Sequence, residues 1–321
     1  MTQDSNAILT LCSHICVGED VRPLEPREYS DLALRLTQGG KTPGDLFDFA
    51  PGDYEGVLGY GPEEAARITR LLDRNASLSF ALADYRNMGI ETITRADPDY
   101  PRALKKKLQN GCPPIFYYAG DPALLEGRYI GYVGSRTIAQ EDLEFAVHTV
   151  RTTVALGYGV VSGGAKGIDT VSGTEALRNG GVCLEYLSDS LMKKLKKSDT
   201  IREIQRGRLL LMSVAKPDAG FNVGMAMMRN RYIYAQAAGA VVVRADLRKG
   251  GTWTGASENL KNRWCPTLCW DHPYPGNQAL IQAGATPITK TWPGTLPPAS
   301  PEPAPTIEQA PIFEQTSLFD P

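Results

Sequence analysis

From residue 126 onward, short apolar runs alternate with glycine-rich turns and stretches of helical spacing. The runs are YIGYV (129–133), GVVS (159–162), VCLEYL (182–187), LLLMS (209–213), AVVVR (240–244) and PTLCW (266–270). Between them lie EDLEFAVHTVRTTVALG, GIDTVSGTEALRNG, TIREIQRG, GMAMMRNRYIYAQAAG and SENLKNR, which read as helices. Brief, continuously apolar strands separated by helices specify a parallel sheet covered on both faces. The expected fold class is therefore α/β, with an extended Rossmann-like, doubly wound, mostly parallel sheet. Right-handed crossovers gather its strand-to-helix loops at the carboxyl edge, where such sheets bind ligands.

The remainder of the chain differs in character. Residues 1–88 space apolar side chains three and four apart, as in YSDLALRLTQ and EEAARITRLLDRNASLSFALADYRNMG, and read as a small helical N-terminal domain. Residues 89–125 read as a connector or edge extension in which IFYY is a candidate short strand. The Rossmann-like unit spans 126–287, and 288–321 is a Pro-rich segment without periodicity, expected to be an extended tail. No internal repeat is visible.

Composition narrows the function classes. Thirty-four basic and 36 acidic side chains give a net charge of −2, which excludes a globally basic binder but leaves room for a local basic groove. The three histidines, 14, 148 and 272, are too few for a His-rich metal centre. The start of the chain has no signal-peptide pattern, and no apolar run is long enough to span a membrane. Six cysteines are too sparse for a disulfide scaffold, so a cytosolic, reducing setting is expected. Cys12-x3-Cys16 and Cys265-x3-Cys269 have a zinc-like spacing, but their apolar surroundings favour buried free thiols, and neither a metal nor another cofactor is expected.

Four elements carry cations beside glycines. Gly134-Ser135-Arg136 follows the first strand. Free N–H groups at the next helix, with an Arg beside them, suit a phosphate; a tight turn bearing a surface Arg is the plain alternative. Ser162-Gly163-Gly164-Ala165-Lys166 follows the second strand; its spacing is not that of a Walker A loop, and taken alone it reads rather as a loop that simply needs positive φ angles. Arg229-Asn230-Arg231 lies on a helix, where residues two apart do not share a face. One Arg is thus expected to hold a neighbouring loop while the other meets the ligand, unless both are solvated surface charge. Lys249-Gly250-Gly251-Thr252 comes after a later strand, next to a Trp253 expected to pack rather than stack on a base. Two glycine loops at one sheet edge, each with a cation, suit an extended polyanion better than a single nucleotide.

In order and context these elements resemble the DprA/Smf family of DNA-processing proteins. The resemblance rests on YVGSR (132–136), VVSGGAKGID (160–169), MRNRYIYAQAAGAVVVRA (228–245), KGGTWTGA (249–256) and NQALIQAGA (277–285), with the lead-in GIETITRADPDYPRALKKKLQNGCPPIFYYAGD (89–121). It implies a cytoplasmic protein without catalytic turnover that binds single-stranded DNA through Gly134, Ser135, Arg136, Ser162, Gly163, Gly164, Lys166, Arg229, Asn230, Arg231 and Lys249 to Thr252. It also implies self-association and loading of a RecA-type recombinase. Some members sit in phage-defence operons and restrain a toxin, which gives a second reading as a regulator. The sequence departs from the family in KPDAGFNVGMAMM, which replaces a proline-rich stretch before Arg229, and no winged-helix pattern follows the core.

Two further readings remain. Phosphoribohydrolases of the same superfamily carry a Pro-Gly-Gly-x-Gly-Thr pattern with downstream acids, which Lys249 to Thr252 and Glu258 echo in part. At the end of the chain, Gln315, Leu318 and Phe319 fit the Q-x-x-L-F pattern of sliding-clamp-binding peptides; the alternative is a tail that docks on its own domain.

Overall fold

A computed structural model describes residues 1–18 and 21–297 of the chain. The apolar runs form the strands β3 (Tyr129–Val133), β4 (Gly159–Ser162), β5 (Cys183–Leu187), β6 (Leu209–Ser213), β7 (Gly239–Val242) and β8 (Thr267–Trp270), and every residue in them is buried. Three more strands, β1 (Glu91–Thr94), β2 (Ile115–Ala119) and β9 (Thr286–Ile288), complete a nine-stranded sheet in the order β1-β2-β6-β5-β4-β3-β7-β8-β9. All pairings from β6 to β9 are parallel, whereas β1 and β2 pair antiparallel at the β6 edge. The segment 89–125 thus contributes two strands to the sheet, with Glu91 opposite Tyr118 and Tyr117 opposite Ser213.

The two faces of each strand enter different cores. Ile130 and Tyr132 of β3 face one core and Tyr129 and Val133 the other, as the period of two requires. The first core is covered by α7 (Gln140–Ala155) and α8 (Ile168–Arg178), with α9 (Leu191–Leu195) and α10 (Ser198–Gln205) following β5. The second is covered by α6 (Arg102–Leu108), α11 (Val223–Gln236), α12 (Gly250–Asn262) and α13 (Pro275–Gln282). Phe116, Tyr186 and Tyr232 meet there edge to face or tilted, with centroids 5.5–5.8 Å apart.

The N-terminal residues form α1 (Gln3–Cys12), α2 (Pro26–Gln38), α3 (Pro51–Leu58), α4 (Pro62–Asp73) and α5 (Asn75–Asn87). Prolines open α2, α3 and α4, where the missing N–H costs nothing. The apolar side chains of these helices, Leu9, Leu32 and Leu71 among them, run without a break into the first core of the sheet. Ser13 Oγ lies 2.7 Å from Tyr117 Oη on β2, and Arg74, itself buried, donates to the carbonyls of Thr10 and Ile15.

Two expectations change. The helix expected from 257 begins at Gly250, so Lys249 is its N-cap and Gly250 to Thr252 its first turn rather than a free loop. Cys12, Cys265 and Cys269 are buried free thiols, and burial pushes the last two up to about 12; Cys16, however, is exposed. Among the described residues no group of His, Cys, Asp and Glu could hold a metal ion, and no helix is long and apolar enough to cross a membrane. The clamp-like Gln315, Leu318 and Phe319 lie outside the described residues.

Candidate functional site

The chain leaves β3 toward β4 on one side and returns through α11 to β7 on the other, so β3 and β7 are neighbours whose loops diverge. This is the topological switch point of the sheet, and it leaves a crevice at the carboxyl edge. A cleft of about 500 Å3 occupies it. Gly134, Ser135 and Arg136 enter from the β3–α7 loop, Lys166 from the β4–α8 loop, Arg229 and Asn230 from α11, and Lys249 to Thr252 from the start of α12. The sequence elements that carry cations beside glycines therefore converge on one place.

The loops are fitted to each other by close approach. At Gly167 φ is +83°, and a Cβ there would sit 2.2 Å from the Ser135 carbonyl, which accepts from Ile168 N at 3.3 Å. Gly163 leaves the space that the Arg229 guanidinium fills; a Cβ would lie 1.3 Å from Arg229 Nη1. Asp169, buried at the start of α8, accepts from Gly163 N (3.1 Å), Ala165 N (3.4 Å) and Arg229 Nη1 (3.3 Å).

Each residue of the Arg-Asn-Arg element has a separate task. Arg229 holds the β4–α8 loop through Asp169. Asn230 donates to Gly251 O at 3.0 Å and pins the first turn of α12. Arg231 corrects the expectation: it lies outside the cleft and pairs with Glu258 of α12 at 2.8 Å, because two residues on from Arg229 a helix turns a different face. Ser162, Gly163 and Gly164 do not line the cleft either. Ser162 is fully buried at the end of β4, with its Oγ 3.4 Å from Gly164 N, and shapes the loop from beneath. Glu258, the acid on which an enzyme reading depends, does not line the cleft.

Arg136, Lys166 and Lys249 are exposed and have no acidic partner within 4 Å among the described residues. Five cations line the cleft (these three with Arg229 and Arg244) against two carboxylates, Asp169 and Asp246, and Asp169 is already engaged. The first turn of α12 adds N–H groups that no intrahelical carbonyl can accept. Arg229 Nε and Tyr234 Oη, on two residues lining the cleft, are buried without a hydrogen-bond partner among the described residues.

Two contributors escape sequence reasoning. Arg244 lies just past β7, stacks on Tyr274 at 4.5 Å and reaches the fully buried Asp142 at 3.3 Å. Burial works against its charge, but the bond to Asp142 and the neighbouring phenol outweigh it and hold the guanidinium above its ordinary value. Its signal was a cation closing the apolar run AVVVR at the switch point. Phe221 is half exposed and lies under Arg136, 5.3 Å from its guanidinium; it comes from the stretch KPDAGFNVGMAMM before Arg229. Trp253 packs against the second core.

The family model of DNA recombination-mediator protein A matches residues 91–293, more than half of the chain. The chain belongs to that family. Among curated members, the DNA processing protein DprA of Bacillus subtilis is 28% identical over 213 residues, covering 64% of this chain and 71% of the relative. Protein Smf of Synechocystis is 27% identical over 216 residues, and the match spans only 52% of its length. Among solved structures, DprA from Streptococcus pneumoniae superposes with a TM-score of 0.63 at 21% identity, covering 83% of this chain and 95% of that one. DNA processing protein A from Helicobacter pylori, whose structure is reported for its single-stranded DNA binding mode, gives 0.51 at 22% identity, covering 62% and 90%. The likeness to these solved structures concerns the fold. The DprA assignment covers the sheet and its loops, where the cleft lies.

Proposed function

We propose that this chain binds single-stranded DNA in the cleft, through the phosphodiester backbone and without sequence preference. The observation that carries the reading is the convergence of Arg136, Lys166 and Lys249, all without acidic partners among the described residues, beside the N-terminus of α12. Family membership and the single-stranded DNA binding reported for the Helicobacter relative support it. In this reading Arg136, Lys166, Lys249 and Arg244 take phosphates, Gly134, Ser135 and Gly250 to Thr252 offer backbone N–H groups, and Ser162, Gly163 and Gly164 set the loop's shape. Phe221, with Val223 and Met227 also lining the cleft, gives an unpaired base an apolar face, which a base held in a duplex cannot use. Recombinase loading and self-association are parts of the same proposal, as is recognition of a sliding clamp by Gln315, Leu318 and Phe319.

Fluorescence anisotropy with labelled oligonucleotides tests it. Arg136→Ala and Lys166→Ala each weaken single-strand binding several-fold and leave the circular dichroism spectrum unchanged. Indifference to both substitutions overturns the reading.

A further inference from the structure

The β4–α8 loop is a ridge with a depression on each side. Ala165 and Lys166 line the cleft, whereas Gly164 and Thr170 line a second cavity of about 520 Å3. That cavity is a groove between α8 and α10, over β5 and β6, and it reaches from Gly164 at the carboxyl edge to Arg178 at the far end of α8. The eleven-residue helix α8 that flanks it is about 16 Å long.

Its charge is lopsided. The whole chain carries −2, yet residues 191–208 hold seven cations and two carboxylates. The carboxylates lining the groove are all engaged: Glu185 with Lys194 at 2.5 Å, Asp199 with Arg202 at 3.1 Å, and Glu203 with Arg206 and Arg208 at 2.9 and 2.6 Å. Arg178 and Lys197 remain, exposed and with no carboxylate within 4 Å among the described residues, although Arg178 lies near enough to Glu175 to help lower its carboxyl. Arg208 Nε is buried with no hydrogen-bond partner among the described residues. Cations spread along a helix, over acids that are already neutralised, suit a long polyanion. The lining offers only Leu177 and Leu209 as large apolar side chains, too little to anchor an acidic peptide.

We infer that a DNA strand seated in the cleft crosses the ridge at Lys166 and continues along α8 into this groove, where Arg178 and Lys197 take further phosphates. The inference rests on the single-strand reading above and extends its footprint.

The test compares oligothymidylates of about four and about 15 nucleotides on the full chain, with Arg178→Ala/Lys197→Ala and Arg136→Ala as variants. The groove variant binds the short strand as the unaltered protein does, binds the long strand several-fold more weakly, and flattens the slope of log K against log salt for the long strand by about 1.4. Arg136→Ala weakens both lengths. If the groove variant matches the unaltered protein on the long strand while Arg136→Ala still fails, the cleft reading stands and the groove inference falls. If the unaltered protein binds neither strand, both fall. Loss of poly-L-glutamate binding by the groove variant, with long-strand binding intact, reassigns the groove to an acidic polypeptide and also overturns the inference.

Discussion

One oxygen of Asp169, Oδ2, accepts from two loop N–H groups and from a buried guanidinium. Removing it leaves Arg229, 6% exposed, without its counter-charge. Breaking such a pair from one side is strongly destabilising. Asp169→Ala is expected to lower the unfolding free energy by about 3–5 kcal/mol in urea titration, and to weaken DNA binding because the loop bearing Lys166 loses its frame. Arg231→Ala is the control. It breaks a half-exposed pair with Glu258, worth at most about 1 kcal/mol, and leaves affinity unchanged. A change in urea midpoint as small for Asp169→Ala as for Arg231→Ala would contradict the assigned roles. The division of labour between Arg229 and Arg231 was half legible in sequence. Helical periodicity states that the two point apart, but not that a buried carboxylate sixty residues upstream claims the first.

At the scale of elements, the strands of the sheet were legible because continuous apolar runs bounded by turn residues allow little else. β1 and β9 were not, since Glu91–Thr94 and Thr286–Ile288 are short, partly exposed and without a clear alternation. The start of α12 was missed because two glycines and a positive φ at Gly250 read as a loop, while the Asn230 bond to Gly251 holds the turn helical. The junction of α2 and α4 carries a pH signature. Burial raises the Glu28 carboxyl, but hydrogen bonds from Arg67 and from the N–H of Glu25, with the charges of Arg67 and Arg22, outweigh burial and bring it below the usual range. A carboxyl lowered by folding contributes stability that is complete above its unfolded value, about 4.3, and is lost as pH falls through the folded one. The urea midpoint is therefore expected to drop below that pH, and Glu28→Gln to remove part of the drop. A variant that keeps the full acid-side loss counts against the bridge.

For the whole molecule, the sheet topology does what no single loop can. It returns the chain to β7 beside β3 and so brings elements from residues 134 to 252 to one crevice. A version ending at Glu314 is expected to lose capture by immobilised sliding clamp while binding DNA as the full chain does; equal capture of both would remove the clamp from the proposal. In the proposed complex, backbone phosphates meet three exposed cations, Arg136, Lys166 and Lys249. Each phosphate neutralised on a single strand steepens the dependence of log K on log salt by about 0.7. Affinity for single-stranded and duplex oligonucleotides, measured across a salt series for the unaltered protein and Arg136→Ala/Lys166→Ala, tests it most directly. The prediction is a single-strand slope of about −2 or steeper, shallower by about 1.4 in the double variant, with duplex bound far more weakly. A flat salt dependence, an unchanged slope in the variant, or equal affinity for duplex would contradict it.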